Sequence, residues 1–209
     1  MVRLVAILSV AGGVAGFLLY LHLLGKGPFA TLEGRHLRQM KDRTSAPDSV
    51  EPFTHDAFFA LPRGLSVAEY SGIERRAVSL EGQVHHLLRA TDGDFHADLY
   101  PVARAGSEVA MHAVTTEITP QWHGSGLDGW GFERLAAIFR PERGTVAPWE
   151  GGPVRVRLSG WLLYDHADDA LPRPPGAPHA LRLSQWEIHP VTKIERWDST
   201  HAGWVEVKR

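Results

Sequence analysis

Five stretches of this chain alternate apolar and polar residues, and a segment with helical spacing lies between the third and the fourth. Alternation with a period of two is typical of strands that bury one face. In Gly131–Phe139, apolar residues at 132, 135, 136 and 139 follow the spacing of an amphipathic helix. The sequence therefore predicts the order β-β-β-α-β-β. The five predicted strands are 78–88, 95–99, 109–118, 154–164 and 184–197.

This order of elements matches the OB-fold, a small Greek-key barrel of five strands. Thr91-Asp92-Gly93-Asp94 predicts a hairpin turn between the first two strands, because aspartate and glycine favour tight-turn backbone conformations. We expect a mainly β domain over residues 78–209, closed or nearly closed, with one helix plugging an end. Residues 154–164 should pair with 184–197. An open α+β sandwich has the same elements and is the main alternative.

The last predicted strand contains Trp186-Glu187-Ile188-His189-Pro190-Val191. Glu187 and His189 are two residues apart and therefore share one face of the strand. Other polar side chains lie opposite the apolar register of their own strands or at a strand end. Together they form a candidate ligand-binding set: His96, Asp98, Glu117, Asp165, Glu187 and His189.

Imidazoles and carboxylates in such a set suit zinc, manganese or iron, and they also suit general acid–base chemistry. The structural alternative is that these residues simply face solvent or pair across neighbouring strands. The sharpest expectation is that His96, Glu117 and His189 lie close together. Strand order alone does not guarantee that arrangement.

The N-terminal segment Leu4–Leu24 carries no Asp, Glu, Lys or Arg and is long enough to cross a bilayer as a helix. No small-x-small cleavage site follows it, so the sequence predicts an uncleaved single-pass anchor over residues 1–25, with a cleaved signal peptide as the alternative. Residues 26–52 are predicted to form a stem or linker. Residues 53–77 are predicted to be a lead-in segment with a short helix or turn near Phe58–Pro62.

Only residues 1–3 precede the apolar run, and such a short start favours export of the part that follows. This interpretation places the protein in a bacterial inner membrane with its globular domain in the periplasm. The positive-inside rule argues the other way, because basic residues follow the segment closely. They are Lys26, Arg35, Arg38, Lys41 and Arg43.

Composition excludes several function classes. The chain has no cysteine, which rules out disulfides, a thiol nucleophile and thiolate metal ligands. Its formal net charge of −2 provides no basic stripe, so nucleic acid is an unlikely partner. The partners that remain are the membrane and a protein or small ligand.

Five stretches together resemble a family of bacterial OB-fold-like domains that are often exported. They are residues 78–84, 92–96, 116–120, 156–165 and 186–191, and the resemblance covers roughly residues 53 to 197. The last stretch is the most specific, since members end in a Glu-Ile/Leu-His-Pro-Val motif. His166 follows Asp165 directly, whereas the family has its histidine a few residues later. The resemblance implies a fold but no reaction.

A second resemblance is to staphylococcal-type nucleases, which are also OB-folds. Asp92-Gly93-Asp94 is similar to their Asp-Gly-Asp turn, and Ile118-Thr119-Pro120-Gln121 stands where they have Asp-Thr-Pro-Glu. Gln121 and Ile118 replace carboxylates of that site, and Ala113 replaces an arginine, so we expect the nuclease site to be absent. The sequence favours a membrane-anchored envelope binding module. The alternative is a His/carboxylate metal-dependent hydrolase on the same fold.

Overall fold

A computed structural model describes residues 31–84, 87–102, 112–124, 129–139, 154–166 and 182–209. The chain divides into two units, Met1–Met40 and Lys41–Arg209, and the second contains all the strands named here. The helices are α1 (Leu32–Lys41), α2 (His55–Phe59), α3 (Val67–Ile73) and α4 (Phe132–Ile138). The strands are β1 (Glu51–Phe53), β2 (Ala77–Val84), β3 (Leu88–Arg89), β4 (Phe95–Tyr100), β5 (Ala113–Ile118), β6 (Val154–Tyr164), β7 (Arg182–Asp198) and β8 (Gly203–Glu206).

Five strands close into a barrel in the order β2-β4-β5-β7-β6 and back to β2. All neighbours in this ring are antiparallel except β5 and β7, which are parallel. The closed barrel and the position of α4 between β5 and β6 confirm the predicted element order. The predicted pairing of 154–164 with 184–197 is also confirmed, from Val156 opposite Arg196 to Tyr164 opposite Trp186.

The barrel closes along a short seam between β2 and β4. Gln83 lies opposite Tyr100 and Val84 opposite Leu99. A Cβ atom on Gly82 would lie 2.5 Å from the carbonyl oxygen of Tyr100 and 2.7 Å from Cγ of Leu99. Only glycine allows the strands to approach this closely, so Gly82 is a requirement of the closed barrel.

The barrel interior is filled by the apolar set that alternation predicts. Residues that pair across two strands share a face, so Phe95 and Ile118 point inward together. From α4, Leu135 is fully buried and belongs to the same core, as does Phe139 just after the helix. Other members of this core are Leu80, Val84, Ala97, Leu99, Val114, Val156, Leu158, Ile188, Val191 and Ile194.

Several elements outside the barrel were not predicted. The described part of the chain has four helices. Of these, α2 overlaps the short helix or turn predicted near Phe58–Pro62, whereas α3 and α1, which lies in residues 32–41 of the predicted stem, were not predicted. In the lead-in segment, Thr54 caps α2 by accepting from the backbone N–H of Ala57. Ser66 and Glu69 form a capping box that begins α3, a Ser-x-x-Glu signal that the sequence contains. Strand β1 adds to the edge of β2 in parallel, and β8 pairs with β7.

The predicted membrane anchor Leu4–Leu24 lies outside the described residues. Among the residues that are described, no helix combines the length and apolarity needed to cross a membrane.

Candidate functional site

A row of polar side chains crosses three neighbouring barrel strands on the face opposite the core. His96 in β4 lies directly opposite Glu117 in β5. Thr115 lies opposite Asp98 on one side and Glu187 on the other. Because paired residues share a face, these side chains belong to one continuous patch on the outside of the barrel.

This outer face is buried rather than solvated. Glu117 is 2% exposed, and Glu187 and His189 are completely buried. These three side chains therefore do not face solvent. Pairing across neighbouring strands, the other half of the structural alternative, is what His96, Glu117 and His189 show. Buried ionisable side chains of this kind are costly unless each has a partner.

His189 is the centre of the cluster. Its Nδ1 atom lies 2.8 Å from Oε2 of Glu117 and 3.2 Å from Oε2 of Glu187. Ionised carboxylates only accept hydrogen bonds, so Nδ1 carries the imidazole proton and donates it to Glu187. The lone pair of the neutral ring is then on Nε2. That atom is buried and forms no hydrogen bond within the described part of the chain.

Asp94 is a site residue that the sequence reasoning missed. Its Oδ2 lies 3.6 Å from Nε2 of His189. One ligand atom each from Asp94, Glu117 and His189 can be chosen so that all three lie within 4.8 Å of one another. Asp94 was interpreted only as a turn residue, although it is two positions before His96 and so continues the same outward row.

Lys41, at the end of α1, also reaches the cluster. Its Nζ lies 3.8 Å from Glu117 and 3.8 Å from Asp165. Burial lowers the pKa of Lys41, but nearby carboxylates, first Glu117 and Asp165 and then Asp94 and Asp92, outweigh burial and raise this pKa above its ordinary value. No local pattern predicts this contact, because Lys41 lies in the segment interpreted as a stem.

Arg182 holds the other side of the cluster in place. It forms a buried ion pair with Glu187, and its Nε donates to the hydroxyl of Thr115 at 2.7 Å. The Thr115 hydroxyl in turn lies 3.5 Å from Oδ1 of Asp98. Glu187, the acceptor for His189, is thereby fixed in orientation by a cation and cannot rotate freely.

The two carboxylates nearest His189 titrate in opposite directions. Burial, together with the negative charge of Glu117, raises the pKa of Asp94 to about 8. Burial also opposes ionisation of Glu117, but His189 and Lys41 outweigh it and hold the pKa of Glu117 well below its usual range. Burial lowers the pKa of His189. Near neutral pH the cluster thus contains a protonated Asp94, a charged Glu117 and a neutral imidazole.

The structure brings together the three residues whose convergence was expected. His96 Nε2 lies 3.3 Å from Oε1 of Glu117, and Glu117 contacts His189 on its other side. Of the remaining candidates, Glu187 contacts His189 directly. Asp98 contacts Thr115 and Asp165 contacts Lys41, and both carboxylates also act electrostatically on Arg182.

Comparisons of this chain with models of protein families, with curated proteins and with solved structures found no match. The function of the cluster must therefore be argued from its own geometry and charge.

Proposed function

We propose that this chain is a membrane-anchored binding module of the OB-fold type, whose ligand site is the buried cluster around His189. The anchor is Leu4–Leu24, and the barrel lies in the periplasm of a bacterial cell. The closed five-stranded ring, the helix between its third and fourth strands and the resemblance to exported OB-fold-like domains support this assignment.

One observation supports the binding site. The buried imidazole of His189 has an available Nε2 and is surrounded by the carboxylates Asp94, Glu117 and Glu187. Folding alone does not require such an arrangement, since well-packed apolar residues often stabilise a fold as well as buried ions do. Like charges placed side by side cost stability. Such a cost is typical of sites that are organised for a ligand.

Unfolding of Asp94→Asn in urea, without divalent cations, tests whether the cluster is a site or part of the architecture. Asparagine resembles the protonated carboxyl of Asp94 in shape and charge but does not require the free energy of holding that proton at pH 7, so a ligand site predicts equal or higher stability at pH 7. An architectural role predicts a loss of about 1–3 kcal/mol, the usual cost of removing one buried partner. Asp92→Asn in the same turn is the matched control, and it should change stability little.

The anchor is tested on cells that express the full chain. Sodium carbonate extraction should leave the protein in the membrane pellet, and protease added to spheroplasts should reach the barrel. A soluble form whose N-terminus begins between residues 25 and 35 would show a cleaved signal peptide instead. Protection from protease would place the barrel in the cytoplasm, as the basic residues after the apolar segment predict.

A second candidate function is metal-dependent hydrolysis. One observation favours it: the imidazole of His96 is partly exposed, at 18% of its side chain, and contacts Glu117 at the edge of the buried cluster. A histidine in that position can act as a general base. Hydrolysis of a model phosphodiester or ester by the zinc-loaded chain, lost in His96→Gln, would favour the enzyme. Metal binding without turnover would favour the binding module.

A further inference from the structure

We infer that Asp94, Glu117 and His189 bind one divalent transition-metal cation, with zinc as the expected ion. This inference deepens the proposed function, on which it rests, by naming the class of ligand. The three residues come from the β3–β4 turn, from β5 and from β7, and all three are buried. Their ligand atoms lie within 4.8 Å of one another. Tetrahedral coordination at about 2.0–2.2 Å needs ligand atoms about 3.4 Å apart. Asp94 is already 3.6 Å from Nε2 of His189, whereas Glu117, which lies beside Nδ1, must turn towards Nε2 to join the metal.

The imidazole is already oriented as metal-bound histidines are. Such histidines usually donate their second ring N–H to a carboxylate, which sets the tautomer and directs the other nitrogen at the metal. Here Nδ1 donates to Glu187, and Glu187 is held by Arg182. Nε2 is the nitrogen left available, and it points towards Asp94 at 3.6 Å.

The charge of the cluster also calls for a cation. Four carboxylates contact His189 or Lys41, and two basic groups face them, the partly buried Lys41 and the buried Arg182 side chain. With all four carboxylates ionised, as they would be around a bound cation, they exceed the two basic groups by two negative charges, which one divalent ion neutralises. The four carboxylates are Asp94, Glu117, Asp165 and Glu187.

The types of ligand atom indicate which metal ion the site prefers. One imidazole nitrogen and two carboxylate oxygens suit zinc, manganese or iron(II), whereas magnesium and calcium prefer sites made of oxygen alone. Among these three ions, zinc binds a given nitrogen and oxygen site most tightly.

The experiment uses the full chain in a mild detergent, stripped with EDTA and then titrated with zinc chloride by calorimetry. Metal content after gel filtration is measured on the same samples, and cobalt(II) provides a visible absorption signal for tetrahedral coordination. The wild-type chain should bind one zinc ion and melt at a higher temperature with zinc than without it. Asp94→Asn and His189→Gln should each weaken binding at least about tenfold.

His201→Gln is the matched control, because His201 lies in an exposed turn where it contacts Asp198. It should bind zinc like the wild type. If His189→Gln does not fold, Asp94→Asn still decides the question, since that change removes a carboxylate ligand and keeps the side-chain shape. Zinc uptake that none of the cluster variants reduces would show adventitious binding by other histidines and overturn the inference.

Absence of zinc uptake by the wild-type chain would overturn the inference as well. The urea unfolding of Asp94→Asn then shows whether the binding-site proposal fails together with the metal site. If Asp94→Asn stabilises the metal-free chain, the cluster remains a ligand site and only the metal is wrong. If the same variant destabilises the chain, the binding-site proposal fails together with the metal site.

Discussion

The Nδ1 atom of His189 lies 2.8 Å from Oε2 of Glu117, between the parallel strands β7 and β5, and both side chains are buried. This contact joins the last strand of the barrel to its third strand on the side away from the core. The contact lies on the outer face of β4, β5 and β7. This face forms a second buried layer, and ionisable side chains fill it instead of apolar ones.

The stability of the metal-free chain should depend on pH through Asp94. Its pKa is about 8 in the folded chain and near its ordinary value when unfolded, so the folded state holds a proton that the unfolded state loses. The stabilising contribution is complete below about pH 4 and decreases as the pH rises to about 8. Asp94→Asn lacks this dependence and should be more stable than wild type at pH 7 by up to about 4 kcal/mol, the value that this shift in pKa implies. Urea unfolding at pH 4, 6 and 8 measures the difference, which should vanish at pH 4. A constant difference would contradict the raised pKa.

Glu187→Gln should destabilise the chain strongly. The change removes the ionised Glu187 carboxylate from beside the Arg182 side chain, which is 6% exposed, and losses of about 3–5 kcal/mol are typical of a broken buried pair. Glu81→Gln is the control, because its pair with Arg155 is 38% exposed on both sides and should cost about 1 kcal/mol or less. Denaturant unfolding of both variants gives the comparison, and equal losses would show that burial of the pair is unimportant.

Lys41→Met should strengthen zinc binding. The ammonium lies 3.8 Å from Glu117 and competes with a metal ion for the same carboxylate, so its removal should raise zinc affinity by about tenfold or more. The same change should lower the stability of the metal-free chain, because Glu117 and Asp165 lose their cation. Lys193→Met is the matched control, since Lys193 pairs with Glu195 on the same strand. Calorimetric titration of both variants provides the test. Weaker zinc binding by Lys41→Met would contradict the competition and show that the lysine helps to hold the site in shape.

Gly82→Ala should destabilise the barrel at its closing seam. The new Cβ would lie 2.5 Å from the Tyr100 carbonyl oxygen, so the strands must separate, at a cost of about 1–3 kcal/mol or more. Gly72→Ala in α3 is the control, because nothing lies within 4 Å of its added Cβ, and alanine favours a helix. Thermal melts distinguish the two. If the two variants melt at the same temperature, the seam tolerates a side chain.

Much of the fold could be predicted because strand alternation is a local signal. Residues 154–164 were predicted with the observed bounds of β6, and the bounds of the other barrel strands differ by one to a few residues. The weaker predictions concern short elements whose stability depends on what they contact. Strand β1 is three residues long and forms only by pairing with β2, and α1 carries few apolar residues. The anchor and the orientation of the chain remain predictions.

The sequence by itself determined which side chains share a face, since the alternation of side chains between the two faces of a strand is a property of the backbone. That was enough to place Glu187 with His189, and His96 with Asp98, on faces opposite the core. Only the tertiary structure decided that this outer face is buried, because alternation along a strand does not reveal what covers either face. Only the tertiary structure joined Asp94 and Lys41 to the cluster and paired Arg182 with Glu187, because contacts between distant parts of a chain depend on strand order, register and the path of the connecting segments.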